Sequence, residues 1–276
     1  MPDNKDYCLK LTQILSAIAE VNVGQAISSE RFANAESLGV KCISHCITAQ
    51  YLCRGTRLGA LRAEFVDPAS INVVIRAAVE SVLTFYYLFV AGASDEELDF
   101  RHDAWILADL LLRQKFTPFS QEGALKLEDE KKQIGRLQEK LRANPVLGTL
   151  SVDQKKDVLC GRRWKFVGWV KIGKDMGLDK NHAETFYKYL CSHAHSGYLS
   201  VLQVQQARSA ADQQVLVEGS VGILIIAMAH MIRLYSKVFP RCASALRELP
   251  DAEAIVKMWV TIGAGTNEPA APRTHC

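Results

Sequence analysis

The chain lacks most of the short motifs that announce a chemistry. It has no G-x-G-x-x-G or G-x-x-x-x-G-K-[ST] loop to cradle a phosphate, no G-x-S-x-G elbow to expose a serine, and no H-E-x-x-H pair to hold zinc. The two E-x-x-H pairs that a di-iron helical bundle needs are missing too. These absences argue against conventional nucleotide-binding, serine-hydrolase and metalloprotease chemistries. Proline is scarce, 8 in 276 residues, and the 17 glycines are scattered, which excludes collagen-like and low-complexity classes. There is little excess charge: 33 Lys and Arg against 30 Asp and Glu leave +3, too small to mark a nucleic-acid protein by bulk charge. The eight cysteines include no C-x-x-C pair, and a chain of this length needs no disulfide scaffold.

Long apolar runs are absent as well. The longest covers residues 221–232 and contains Gly222 and His230. As a helix it spans about 18 Å, short of a hydrocarbon core of roughly 30 Å, so it reads as a buried core helix. The opening MPDNKDYCLK has no basic start followed by an apolar run. A cytoplasmic, reduced protein without a membrane partner is therefore expected. Cys42, Cys46 and Cys53 form one helical stripe and read as small buried hydrophobes, with zinc binding alongside His45 as the alternative.

What is present is helical periodicity. With 49% hydrophobic and 23% charged residues the bulk of the chain can fold around a core. Residues 7–27 repeat apolar side chains at helical spacing, and 30–65 continue so, with a break near Arg54-Gly55. Asp67-Pro68 caps and opens a helix that ends at Gly92. Ser94 to Glu97 is a capping box for a helix to about 115, and Ser120 starts a charged helix to about 143. A short helix follows at 151–159, another helix runs from Asp179 to about 196, and 219–238 is the apolar helix. Pro240 and Pro250 punctuate two short terminal helices. Residues 199–218 fit no clear pattern. The expected architecture is all-α: one multi-helix domain over 1–262, an irregular basic segment near 160–178, and a flexible tail over 263–276.

Three local features stand out from this background. Arg76 and Glu80 are the only charges in the apolar helix 68–91, and their i, i+4 spacing puts them on one face. If that helix is buried all round, the pair is at least partly buried and should be paired, as a structural bridge or as a site that grips an anion. The second feature is the run Thr185 to Ser196, with His193 and His195 about 160° apart on a helix. They cannot share a metal there, so one faces inward and one outward, and either could move a proton. The third is residues 155–180, where eight positive charges meet three negative ones for a net +5, interleaved with Trp164, Phe166 and Trp169. Basic residues suit phosphates and aromatic rings suit bases, although the rings could equally anchor the segment to the core.

In chain order these are an R-x-x-x-E helix (Arg76, Glu80), a tryptophan segment (Trp164), and a tyrosine-rich helix with Tyr187 and Tyr189 that ends S-x-x-H-S (Ser192, His195, Ser196). Over about residues 68–200, half the chain, this order resembles a bacterial all-helical family of unknown function, distantly similar to HEPN proteins. The resemblance implies an α-helical bundle that acts on or binds RNA, in many relatives as a metal-independent endoribonuclease of stress or phage defence. It implies catalysis by Arg76, Glu80 and His195 without a cofactor or metal, and RNA or another phosphate-bearing ligand held by Arg162, Arg163, Trp164, Lys165, Tyr189, Ser192 and Ser196. Active HEPN ribonucleases carry a histidine four to six residues after the arginine. Here Glu80 follows Arg76, and the histidine lies on a distant helix. The competing expectations are a non-catalytic interaction or regulatory protein, with a homodimer or protein partner, and a bundle that binds a small anionic ligand.

Overall fold

The computed structural model describes residues 3–25, 29–59, 63–92 and 94–265. The chain is all-α. Its helices are α1 (Asn4–Glu20), α2 (Glu30–Leu52), α3 (Pro68–Phe89), α4 (Asp95–Arg113), α5 (Gln121–Ala143), α6 (Pro145–Thr149), α7 (Val152–Leu159), α8 (Trp169–Met176), α9 (Lys180–Ala194), α10 (Tyr198–Gln206), α11 (Ala210–Val238), α12 (Pro240–Glu248) and α13 (Ala252–Gly263). Between α2 and α3 lies a minimal antiparallel hairpin, β1 (Thr56–Leu58) and β2 (Ala63–Phe65), in the register Thr56 to Phe65. The expected helix over 30–65 thus ends at Leu52. Gly55, in a left-handed conformation (φ +92°), turns the chain out of it.

The chain divides into two compact units, Met1–Tyr86 with Trp169–Cys276, and Tyr87–Gly168. One division falls inside α3, in an unbroken apolar stretch, so no linker composition announces it.

In the first unit α11 is the central element. From Val217 to Tyr235 it is buried on nearly every face, with α1, α2, α12 and α13 packed around it. Both α3 and α11 are long and apolar enough to cross a membrane, but 67% and 72% of those stretches is buried inside the fold, the setting of core helices. A few buried polar bonds set the register. Ser220 Oγ donates to Asn72 Oδ1 at 2.7 Å, tying α11 to α3, and Thr12 Oγ1 meets Met228 Sδ at 3.3 Å, tying α1 to α11. Cys42 and Cys46 are buried between helices as small hydrophobes. Among the described residues no group of three His, Cys, Asp or Glu is placed to hold a metal ion.

Residues 160–168 are irregular, as expected, but the irregular stretch does not extend to 178. Residues 169–176 form α8, with Ile172, Gly173 and Met176 turned inward. Gly173 sits where a Cβ would lie only 3.3 Å from Leu178, so the glycine serves close packing. Gly177, at φ +110°, ends the helix in a Schellman motif, its successor Leu178 donating to Gly173 O at 3.0 Å. Residues 199–218, unassigned from sequence, are α10 and the first turns of α11, which starts at a Ser209–Asp212 capping box. Of the expected tail 263–276, Gly263 belongs to α13, and 266–276 lie outside the described residues.

The second unit is built on the α4–α5 pair. Phe100, Ala104 and Leu107 pack against Ile134, Leu137 and Leu141, closed by Leu147 of α6 and Val158 of α7. Asp103 is buried in it, 4% exposed, and is met at 3.0 Å by Lys140, whose side chain is 61% exposed. The two ends of this pair are therefore unequal. Lys140→Met strands a carboxylate in a dry site and is expected to destabilise by about 1–3 kcal/mol, whereas Asp103→Asn returns an exposed ammonium to water and costs less. Urea unfolding of the two variants reads the order; equal losses would mean the carboxylate is not desolvated.

Candidate functional site

Arg76 and Glu80 lie one turn apart on α3, and His195 caps the C-terminus of α9. The structure brings them together. Arg76 Nε donates to Glu80 Oε1 at 3.0 Å, and Nη2 lies 3.0 Å from the same oxygen. On the other side of the guanidinium, Nη1 is 3.2 Å from His195 Nε2 across 119 residues of chain. An arginine can only donate, so Nε2 is the acceptor, and the neutral ring carries its hydrogen on Nδ1. The guanidinium also lies over the Tyr187 ring, 5.8 Å from its centroid.

The pair is partly buried, as the apolar composition of α3 suggested. The side chains of Arg76 and Glu80 are 17% and 31% exposed, and Val73 one turn earlier is 43% exposed. This side of α3 is partly open, and the guanidinium meets His195, which is itself exposed. Partial burial works against the Arg76 charge, but the Glu80 carboxylate outweighs it and holds the pKa above its ordinary value.

Tyr187, Cys191 and His195 form an i, i+4, i+8 stripe on α9, and that stripe is the face Arg76 meets. Burial, followed by a hydrogen bond with Cys191, pushes the Tyr187 hydroxyl up to about 12. Neither Tyr187 nor Cys191 was among the expected site residues, although the same spacing that joined Arg76 to Glu80 would have picked out both.

The turn after α9 places His195. Gly197 N donates to Ser192 O at 2.7 Å and Ser196 N to His193 O at 3.4 Å, a Schellman motif. The left-handed residue is Ser196 (φ +51°), one position before the glycine that marked the helix stop in the sequence. Gly197 packs closely instead: a Cβ there would lie 2.8 Å from Ser192 Oγ, which would have to turn aside. His193 points inward, 6% exposed, with the Tyr189 ring edge-on at 5.0 Å. Burial lowers its pKa against the upward pull of Gln203 and Asp67. Tyr189 is thus engaged with His193 on another side of α9, and Ser192 serves the turn, while Ser196 is exposed beside His195.

The remaining expected residues belong to the second unit. The basic stretch 155–180 is divided at Gly168: Lys155, Lys156, Arg162, Arg163 and Lys165 fall in the second unit, Lys171, Lys174 and Lys180 in the first. Arg162 and Arg163 both reach Asp157, at 3.3 and 3.9 Å, and Arg162 Nε lies 3.0 Å from Cys160 Sγ. Trp164 packs against the hydrophobic core with its ring 5.9 Å from Tyr87, and Phe166 joins it there. Lys165 Nζ reaches Val167 O at 3.5 Å. The indole therefore serves as an anchor for the segment. No protein-family model, curated protein or solved structure matches this chain.

Proposed function

We propose that the Arg76–Glu80–His195 cluster binds the phosphodiester of RNA and cleaves it without a metal ion. The observation that supports this most is the guanidinium held between Glu80 and His195 within hydrogen-bond distance of both. Glu80 fixes the fork of Arg76, which leaves Nη1 aimed at His195. A phosphate oxygen is a better acceptor for that N–H than an imidazole. Its arrival would take Arg76 from His195 and free the Nε2 lone pair beside the bound phosphate.

His195 then removes the proton of the neighbouring 2′-hydroxyl. The 2′-oxygen forms its bond to phosphorus, the bond to the 5′-oxygen breaks, and the proton returns from the imidazolium to that leaving oxygen. Arg76 balances the charge that builds on the phosphate. The products are a 2′,3′-cyclic phosphate and a 5′-hydroxyl end. The openness of the cluster favours a chain-like substrate over a small enclosed ligand, since small ligands are mostly engulfed in clefts. The seven described cysteines are free thiols, which accords with a cytoplasmic setting.

The direct test is incubation of the purified protein with total RNA in EDTA, beside a His195→Ala variant. Cleavage with cyclic-phosphate ends by the parent, reduced about 100-fold or more in the variant, is the expected result. No cleavage, or equal cleavage by both, leaves the catalytic reading without support and favours a non-catalytic interaction protein.

A further inference from the structure

Helix α2 carries two apolar patterns. One includes the buried Ala35, Cys42 and Ala49 and packs against α1 and α11. The other lies on the opposite face, which the fold leaves open. There Val40, Ile47 and Tyr51 are 52%, 50% and 70% exposed. With the exposed Ser37 and Ser44 they recur at alternating steps of three and four residues, the heptad spacing that keeps one stripe turned toward a partner helix. The same steps reach Ala33 and the exposed Glu30 at one end, and the exposed Arg54, in the turn after α2, at the other. Ser44 Oγ already donates to Val40 O at 3.0 Å, so covering this stripe strands no hydroxyl there.

The stripe is complementary to its own reverse. Two copies laid antiparallel about a two-fold axis between Val40 and Ser44 bring Glu30 of one against Arg54 of the other. Moving inward, Ala33 meets Tyr51, Ser37 meets Ile47, and Val40 meets Ser44. Each layer sets a large side chain against a small one, or a negative charge against a positive one. A parallel pair would instead put Glu30 on Glu30 and Arg54 on Arg54. Among the described residues neither of these two charges has an ion partner within the chain. Lys41, the other charge on this side, is exposed on the flank of the stripe and can extend into water.

We propose that the exposed face of α2 is the docking surface for a second copy of this chain, forming a two-fold antiparallel dimer. A two-fold contact needs one patch that fits itself, and this charge order supplies both the fit and the direction. The dimer leaves the Arg76 cluster free. Helix α2 meets α3 at Ala78, where Cys42 Sγ lies 3.9 Å from the carbonyl oxygen, and Arg76 projects about 160° away around α3.

The test is sedimentation equilibrium of the full chain over a dilution series up to about 0.1 mM. The parent is expected to dimerise. Ile47→Glu puts a carboxylate into two layers at once and should weaken the dimer about 100-fold or more. Its site is exposed, and a far-ultraviolet circular dichroism spectrum like the parent's verifies the fold. The charges test the direction. Glu30→Arg and Arg54→Glu should each weaken the dimer about tenfold or more, since like charges then meet at both ends. Mixing the two variants should restore a dimer, because every end then pairs opposite charges. A parent that stays monomeric, or an Ile47→Glu protein that dimerises equally, overturns the surface. Loss with Ile47→Glu but no rescue on mixing overturns the antiparallel arrangement.

Discussion

Glu80→Ala and Arg76→Ala are expected to leave the protein folded, with a loss of about 0.5–1 kcal/mol, and to reduce RNA cleavage about 100-fold or more. The two numbers belong together because the ion pair is only partly buried and solvent reaches it. A fully buried pair would cost about 3–5 kcal/mol to break, since one charge would be stranded. Arg76 and Glu80 are instead 17% and 31% exposed, and solvent screens what remains of either charge. In a chain of this size such a loss moves the melting temperature by roughly 1–2 °C. Arg76→Lys sharpens the comparison. It keeps a cation near Glu80, so stability should be close to the parent's, but an ammonium cannot bond Glu80 and a phosphate in one plane, and activity should stay low. A Glu80→Ala protein that loses 3 kcal/mol or more would show the pair to be structural. A folded Arg76→Ala protein with parental cleavage would remove Arg76 from the site.

How much of this was legible in the sequence depended on whether the signal was local. Asp67-Pro68, Ser94, Ser120, Ser151 and Asp179 are caps whose side chains bond the amides of the very next turn, and each opens a helix where expected. Glycines and polar residues misled the reading where tertiary packing decided the outcome. Gly173 belongs inside α8 because a side chain there would crowd Leu178, and Gly219, read as the start of the apolar helix, rides within α11 because the capping box at Ser209 and the buried residues from Val217 on hold that helix at both ends. The division inside α3 leaves no trace because both sides of it are apolar helix.

The site follows the same rule. The spacing of Arg76 to Glu80 names a pair outright, and the stripe of Tyr187, Cys191 and His195 is equally visible. That α9 turns this stripe, and not the one carrying Tyr189 and His193, toward Arg76 is a choice made by packing between helices. The exposed side of α3 at Val73 and Glu80 was likewise hidden, because the composition of α3 describes what surrounds a residue in sequence and not what covers it in space.

Acid should unfold this protein sooner than its surface charges would suggest, and His230 is expected to be the main cause. It lies wholly buried in the middle of α11, beside a cavity of about 20 Å³ lined by apolar side chains such as Val79, Leu83 and Phe186. Arg233 Nη2 approaches its Nδ1 at 3.1 Å while also donating to Met176 O at 2.7 Å. A second positive charge on the ring would sit in a dry site against that guanidinium. Burial, and then the Arg233 charge, hold the pKa down at about 3 against 6.5 in the unfolded chain. Between those values the unfolded chain binds the extra proton and the native state does not. Stability is therefore whole above about pH 6.5 and falls as the pH drops toward 3, by about 1.4 kcal/mol per unit, or roughly 2 kcal/mol at pH 5. His193 and His45, also lowered chiefly by burial, add to the same slope. Asp179, held below its ordinary value by amide hydrogen bonds from Asn181 and His182, matters only at lower pH, near and below 3.8. His230→Leu keeps an apolar side chain in the space and leaves Arg233 its bond to Met176 O. Thermal melts at pH 7.5 and 5.0 should then show a fall of several degrees in the parent and a much smaller one in the variant. An equal fall in both would mean that His230 takes up its proton without unfolding the core, and that the acid sensitivity lies elsewhere.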